Sequence, residues 1–229
     1  DAGAARDMPG VVDIFATDHG IAVVAEGYWY ARQAAAKVEV RFTGPEGDLR
    51  DSEAISAAMQ AALDADDFTG IREDEPGREP GGTLLRSRYE LPLLAHTPME
   101  PLSATCRLRD GHCEIWVGSQ APDIARDAAS RQLGIPREAV QVYNQYLGGG
   151  FGRRAAADNV AEVVAIAQRV QRPVQLVWSR EDDVQHDHYR PPFAGELQAR
   201  VYPDGAISHW RHRLVGPSIN QFMMPELAK

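Results

Sequence analysis

The run Leu147-Gly148-Gly149-Gly150-Phe151-Gly152-Arg153-Arg154 constrains the fold most, because it joins a strand-like stretch to a helix-like stretch through backbone nearly bare of side chains. Glycine reaches positive φ and leaves amide N–H groups uncovered, so such a turn can hold an anion at a helix N-terminus. A tight turn needs only one or two glycines, and the four around Phe151 exceed that need. Arg153 and Arg154 follow directly, placed to face the anion or to pair with Asp158 at helical spacing as a modest surface contact.

The chain has 229 residues, room for one large domain or two smaller ones, and 44% hydrophobic residues, enough for a sizeable core. A formal net charge of −9, with no run of five like charges, argues against nucleic acid as a partner. No stretch reaches the roughly 18 to 20 apolar residues of a membrane helix, so a soluble protein is expected, cytoplasmic or periplasmic. Cys106 and Cys113 flank Asp110-Gly111, a two-residue hairpin turn that pairs Leu108 with Cys113 and Cys106 with Ile115. That register sets the sulfurs diagonally and predicts two free, packed thiols.

Hydrophobic periodicity gives a mixed α/β (α+β) order. It predicts a strand at Ile21–Ala25, a helix from Tyr28 to Lys37 and a strand at Val38–Phe42, then a helix capped by Asp51 or Ser52 with Ile55, Met59 and Leu63 inward. Residues 64–82 are acidic, Gly- and Pro-rich and aperiodic, as in a linker. Leu84–Leu91 alternates as a strand, the cysteine hairpin follows, and Pro122 opens a helix that Gly134 ends. A strand at Val140–Leu147, a helix at Ala155–Val170, a strand at Val174–Trp178 and a hairpin turning at Pro203-Asp204-Gly205 complete the pattern.

Gly150-Phe151-Gly152-Arg153-Arg154-Ala155 fits the G-x-G-x-x-G/A fingerprint of dinucleotide-binding oxidoreductases, with Glu181 beyond the next strand as the ribose-binding acid. A fingerprint strand is central in a parallel sheet and nearly all apolar, whereas Val142-Tyr143-Asn144-Gln145-Tyr146 carries two amides. NAD therefore stands as an alternative.

A family resemblance is more specific. The ordered set His96-Thr97-Pro98-Met99-Glu100-Pro101, Trp116-Val117-Gly118-Ser119-Gln120-Ala121-Pro122, Gly148 to Arg154, and Trp178-Ser179-Arg180-Glu181-Asp182-Asp183 resembles the large subunit of molybdenum hydroxylases, the xanthine dehydrogenase and aldehyde oxidase family. The Met-Glu-Pro element, the doubled arginine and His186-Asp187-His188-Tyr189-Arg190-Pro191 most resemble the isoquinoline 1-oxidoreductase β-subunit branch. The resemblance implies a division into residues 1–45, the end of a hammerhead-like α/β domain; 46–83, a helix and linker; and 84–229, the first part of a molybdopterin-binding domain.

It further implies a molybdenum-pterin cofactor and a partner subunit carrying iron–sulfur clusters. The substrate would be an N-heteroaromatic or an aldehyde, undergoing oxidative hydroxylation. Gln120 matches the glutamine that hydrogen-bonds an apical ligand of molybdenum, and Gly149, Gly150, Phe151, Gly152 and Arg153 match the turn whose amides approach that ligand and the pterin. The pterin dithiolene holds the metal in this family, so no protein metal ligand is expected. Arg153-Arg154-Ala155 replaces the acidic residue that faces purines in xanthine dehydrogenases, which disfavours a purine substrate.

The family's glutamate base lies beyond Lys229, so this chain alone is expected to be inactive and to need the remainder of the large subunit. Glu100 beside its proline reads as an acceptor for backbone amides. His186 and His188 read as an incomplete metal pair, and His209 and His212 as surface residues. The remaining alternative is a non-catalytic assembly module whose glycine loop packs against another subunit.

Overall fold

In a computed structural model the described residues are 1–18, 20–41, 43–44, 51–65, 67–70, 79 and 81–219. In chain order they form α1 (Gly3–Arg6), β1 (Val11–Ala16), β2 (Ile21–Ala25), α2 (Tyr28–Ala35), α3 (Ser52–Ala65), β3 (Thr83–Leu91), β4 (Ser103–Arg109), β5 (His112–Val117), α4 (Pro122–Leu133), β6 (Val140–Asn144), α5 (Asp158–Val170), β7 (Val174–Val177), α6 (Arg180–Gln185), β8 (Phe193–Val201) and β9 (Ile207–Val215), with short 3₁₀ turns at Arg137–Ala139 and Arg153–Ala155. The mixed α/β expectation holds. Contacts divide the chain into two units, residues 1–45 with 96–188 and residues 46–95 with 189–229.

The first unit carries a four-stranded sheet of order β6-β5-β4-β7, in which β4 is antiparallel to both β5 and β7 while β5 and β6 run parallel. Parallel neighbours need a crossover, and α4 supplies it. Pro122 pre-sets the φ of its first turn, and Gly134 ends it in the left-handed region at φ 67°. Val160, Val163, Val164 and Ala167 recur at helical spacing on α5 and meet Ala125 and Ala129 of α4 and Cys106, Cys113, Ile115 and Val117 of the sheet in one buried core. Fully burying each valine or isoleucine side chain of this core stabilises by about 1.5–3 kcal/mol.

The cysteine hairpin has the expected register, Cys106 opposite Ile115 and Leu108 opposite Cys113. Asp110 and Gly111 both take positive φ, as the tight turn demands. Both thiols are free and buried, their sulfurs 3.8 Å apart.

In the same unit β1 and β2 form an antiparallel hairpin on which α1 and α2 pack through Ala5, Ile14 and Ala34. The strand expected at Val38–Phe42 does not form over residues 38–41, and Phe42 lies outside the described residues. Glu39 instead exchanges backbone hydrogen bonds with Asp1, a single pair rather than a ladder.

The second unit is a three-stranded antiparallel sheet of order β3-β8-β9. Asp51 caps α3 by accepting the Ala54 N–H at 2.8 Å, and Met59 and Leu63 pack on Ala194. The β8–β9 hairpin turns at Gly205, φ 83°.

The dinucleotide alternative does not survive this topology. A fingerprint loop links adjacent parallel strands, whereas β6 and β7 are separated by β5 and β4, and β6 is an edge strand.

Candidate functional site

In open α/β sheets ligands gather beyond the carboxyl ends of parallel strands. Here those ends belong to β5 and β6, and the polypeptide leaving them carries Gln120 and the glycine loop. Asn144, the last residue of β6, binds the turn after β5 reciprocally: its Oδ1 accepts from Ser119 N at 2.9 Å and its Nδ2 donates to Ser119 O at 3.1 Å. One step on, Gln145 N donates to Val117 O at 2.9 Å, and the strand expected to continue to Leu147 ends at Asn144.

Gln120 and the loop are joined directly. Gln120 N donates to Arg154 O at 3.0 Å, and Gly152 N donates to Gln120 Oε1, also at 3.0 Å. An amide N–H can only donate, so the atom facing Gly152 must be the side-chain oxygen, and Nε2 is left as a two-proton donor on the far side. At Gly150 a Cβ would stand 2.4 Å from Gln120 Oε1, so any side chain there would displace the Gln120 amide from its contact with Gly152. Gly149 and Gly152 have φ of 98° and 102°, and Phe151, 61% exposed, holds φ 54°, a region few non-glycine residues occupy. The sequence-derived residues Gln120, Gly149, Gly150, Phe151 and Gly152 are thus brought together, with Gln120, Phe151 and Gly152 exposed and Gly150 buried beneath the Gln120 side chain.

Arg153 requires a correction. Both Arg153 and Arg154 are 2% exposed and turn away from that surface, so the modest surface contact foreseen with Asp158 is a buried ion pair. Arg153 donates to both Asp158 oxygens at 2.9 and 2.7 Å, its Nε lies 3.0 Å from Asp187 Oδ1 without the alignment of a hydrogen bond, and its guanidinium covers the Trp178 ring. Burial opposes the Arg153 charge, but the Asp158 hydrogen bonds and the charges of Asp158, Asp187 and Asp183 outweigh it and raise its pKa. Burial likewise pushes the Asp158 carboxyl up, and His188 and Arg153 more than reverse this, holding it well below the usual carboxylate range.

Arg154 fastens a second segment. It donates to Gly118 O, Glu100 O and Pro101 O and pairs with Glu100 Oε2 at 3.0 Å, while burial lowers its pKa against the opposing pull of Glu100. Glu100 Oε2 also accepts Gly148 N at 2.8 Å, the amide-acceptor role expected of it. The histidines read as a metal pair separate: His186 stacks edge-on against Trp178, and His188 lies 3.5 Å from Asp158. Among the described residues no three His, Cys, Asp or Glu side chains converge as a metal site.

Asn144, Asp187 and the ring of His96 support the site without having been assigned a role from sequence, whereas Asp158 was expected as an arginine partner. Only the acidic residue five positions after Arg153 carried a signal, and the other contacts span up to 91 residues.

A bare-backbone turn and an oriented amide thus meet at the ends of paired parallel strands in a mixed α/β domain. A molybdopterin cofactor-binding domain model matches residues 81–218, and the chain belongs to that family. The chain is 28% identical over 246 residues to the beta chain of isoquinoline 1-oxidoreductase from Brevundimonas diminuta, covering 99% of this chain and 31% of the relative. To a nicotinate dehydrogenase of Pseudomonas putida it is 26% identical, covering 95% and 18%.

Among solved structures, the aldehyde oxidoreductase of Desulfovibrio gigas superposes with a TM-score of 0.68 at 20% identity, covering 94% of this chain and 29% of that one. Quinoline 2-oxidoreductase of Pseudomonas putida 86 gives the same TM-score at 16% identity, covering 93% and 33%. The chain therefore spans about a third or less of the length of these relatives. No helix among the described residues is long and apolar enough to cross a membrane.

Proposed function

We propose that this chain supplies part of the molybdenum-pterin site of a hydroxylase large subunit, in which residues 1–45 end a hammerhead-like domain, 46–83 connect, and 84–229 begin the molybdopterin-binding domain. The observation that carries this reading is the Gln120–Gly152 contact, which fixes an amide donor beside a glycine turn at the strand ends. The residues fit such a group: the turn has no side chain where a Cβ at Gly150 would collide with Gln120, and backbone donors held in place need little reorganisation.

In this reading Gln120 and the Gly149–Gly152 backbone hold the cofactor by hydrogen bonding and close approach. Arg153 acts from behind, tying the loop to Asp158 and Asp187 rather than touching the ligand. The cofactor, when bound, supplies two-electron redox chemistry at molybdenum. Gln120 adds a donor without adding charge, and the buried ion pairs keep the loop from relaxing around the ligand.

The parent reaction is oxidative hydroxylation of an N-heteroaromatic or an aldehyde, with electrons leaving through an iron–sulfur partner subunit. The relatives named for isoquinoline and nicotinate support the heteroaromatic class. The catalytic glutamate and the second half of the cofactor site belong to the remainder of the large subunit, so this polypeptide alone has no turnover. Hydroxylation of isoquinoline or benzaldehyde by the 229-residue chain would refute that. The assembly-module reading is set apart by Gly150→Val, which should empty the cofactor site here but would only weaken subunit association there.

A further inference from the structure

The ring of His96 is held on one side only. Its Nδ1 lies 3.0 and 3.1 Å from the two oxygens of Asp187, and its backbone N–H donates to the same carboxylate at 2.5 Å. The two side chains are 11% and 1% exposed. A carboxylate only accepts, so Nδ1 carries a proton, and in the neutral ring Nε2 is a bare acceptor. Nε2 is the one heavy atom near the position a Cβ on Gly152 would take, 3.8 Å away. Among the described residues Nε2 has no protein hydrogen-bond partner.

Gly152 is consequently bracketed by two polar side chains of opposite character. Gln120 takes its N–H and keeps Nε2 as a donor, while His96 brings an acceptor to the Cα side. A donor and an acceptor flanking one bare residue suit an oxygen that both accepts and donates, a hydroxyl or water. A purely structural histidine linking two segments would need only its Nδ1 and backbone contacts, which leaves the direction of Nε2 unexplained.

We infer that His96 is a further ligand-binding residue of the glycine loop, its Nε2 accepting a hydrogen bond from a hydroxyl or water held against Gly152, and that Asp187 is the positioning residue that sets the ring's tautomer and angle. This rests on the loop being part of a molybdenum-pterin site.

The test has two arms. In the cofactor-free chain, ¹⁵N-histidine NMR should find His96 in the Nδ1–H tautomer, with the signal moving toward the tautomer mixture in Asp187→Asn; an Nε2–H tautomer in the unsubstituted chain would overturn the inference. In the cofactor-loaded full subunit, His96→Ala should keep most of its molybdenum while altering the exchangeable-proton splitting of the Mo(V) EPR signal, and His96→Gln should restore part of it. An EPR signal identical to that of the unsubstituted enzyme in loaded His96→Ala would likewise overturn the inference. Should His96→Ala fail to fold, Asp187→Asn carries the same comparison, and an unchanged signal there overturns it equally. Absence of molybdenum from the unsubstituted subunit overturns the cofactor reading itself, and this inference with it, which sets that failure apart from the others.

Discussion

Gln120 Oε1 accepts the Gly152 N–H at 3.0 Å and occupies the position that a side chain on Gly150 would need. One side chain therefore reads the conformation of the whole turn, and the turn fixes which end of the Gln120 amide faces outward.

Gly150→Ala should therefore separate folding from binding. The new Cβ would meet the flexible end of Gln120, whose displacement costs stability no more than about 1–3 kcal/mol, the range for small overpacking. Loss of the oriented amide should lower cofactor retention by roughly 10- to 100-fold, as other outer contacts of metal sites do. Thermal denaturation and molybdenum content, measured on the same preparation of the loaded subunit, check both halves.

Removing Arg153 should be far more damaging to the fold. Arg153→Met leaves Asp187 and Asp158 without their guanidinium, and breaking a buried pair in this way costs about 3–5 kcal/mol. Arg107→Met removes a much more exposed pair with Glu114 and should cost only about 0–1 kcal/mol. Urea denaturation midpoints of the two variants give the comparison.

Local backbone requirements and helical period were legible in the chain, and the burial of Arg153 was not. The glycine cluster, Pro122, Gly134 and the Asp110-Gly111 turn announce elements because each carries a local backbone requirement, and the α5 core face announces itself by its period. The ordered motifs gave the family. What stayed hidden depends on distant pairing: Val38–Arg41 has strand composition, but among the described residues no strand pairs with it, and Arg153 has the charge of an anion site but is drawn inward by Asp187, 34 positions on. Asn144 lies in the strand with the polar face read from sequence, and it is also a clamp on Ser119, which the sequence did not announce.

Acid should destabilise the protein in a defined window. Burial raises the Asp158 carboxyl and its His188 and Arg153 partners lower it further; burial raises Glu196 and Arg213, Arg88 and Arg86 lower it further. Both folded-state values thus lie below the ordinary 3.8 and 4.5, so their contribution is complete above about pH 5 and is lost as pH falls below those values toward the folded ones. Asp158→Asn should be less stable at pH 7 and should lose less on acidification, as urea midpoints between pH 7 and 3 would register. An equal slope in both proteins would contradict the Asp158 assignment.

The two thiols should be silent in the native state. Contact with Cys113 and burial push the Cys106 thiol up, and neither sulfur is open to solvent. A thiol reagent should find none reactive in native protein and both in urea, with a reaction rate set by unfolding.

The most direct test of the central claim is molybdenum and pterin content of the polypeptide produced with and without the proposed remainder of its large subunit. Metal and pterin present only with the remainder, and lost in Gly150→Val, is the result expected of half a cofactor site. Absence of both from either form would contradict the account and leave the glycine loop a packing turn.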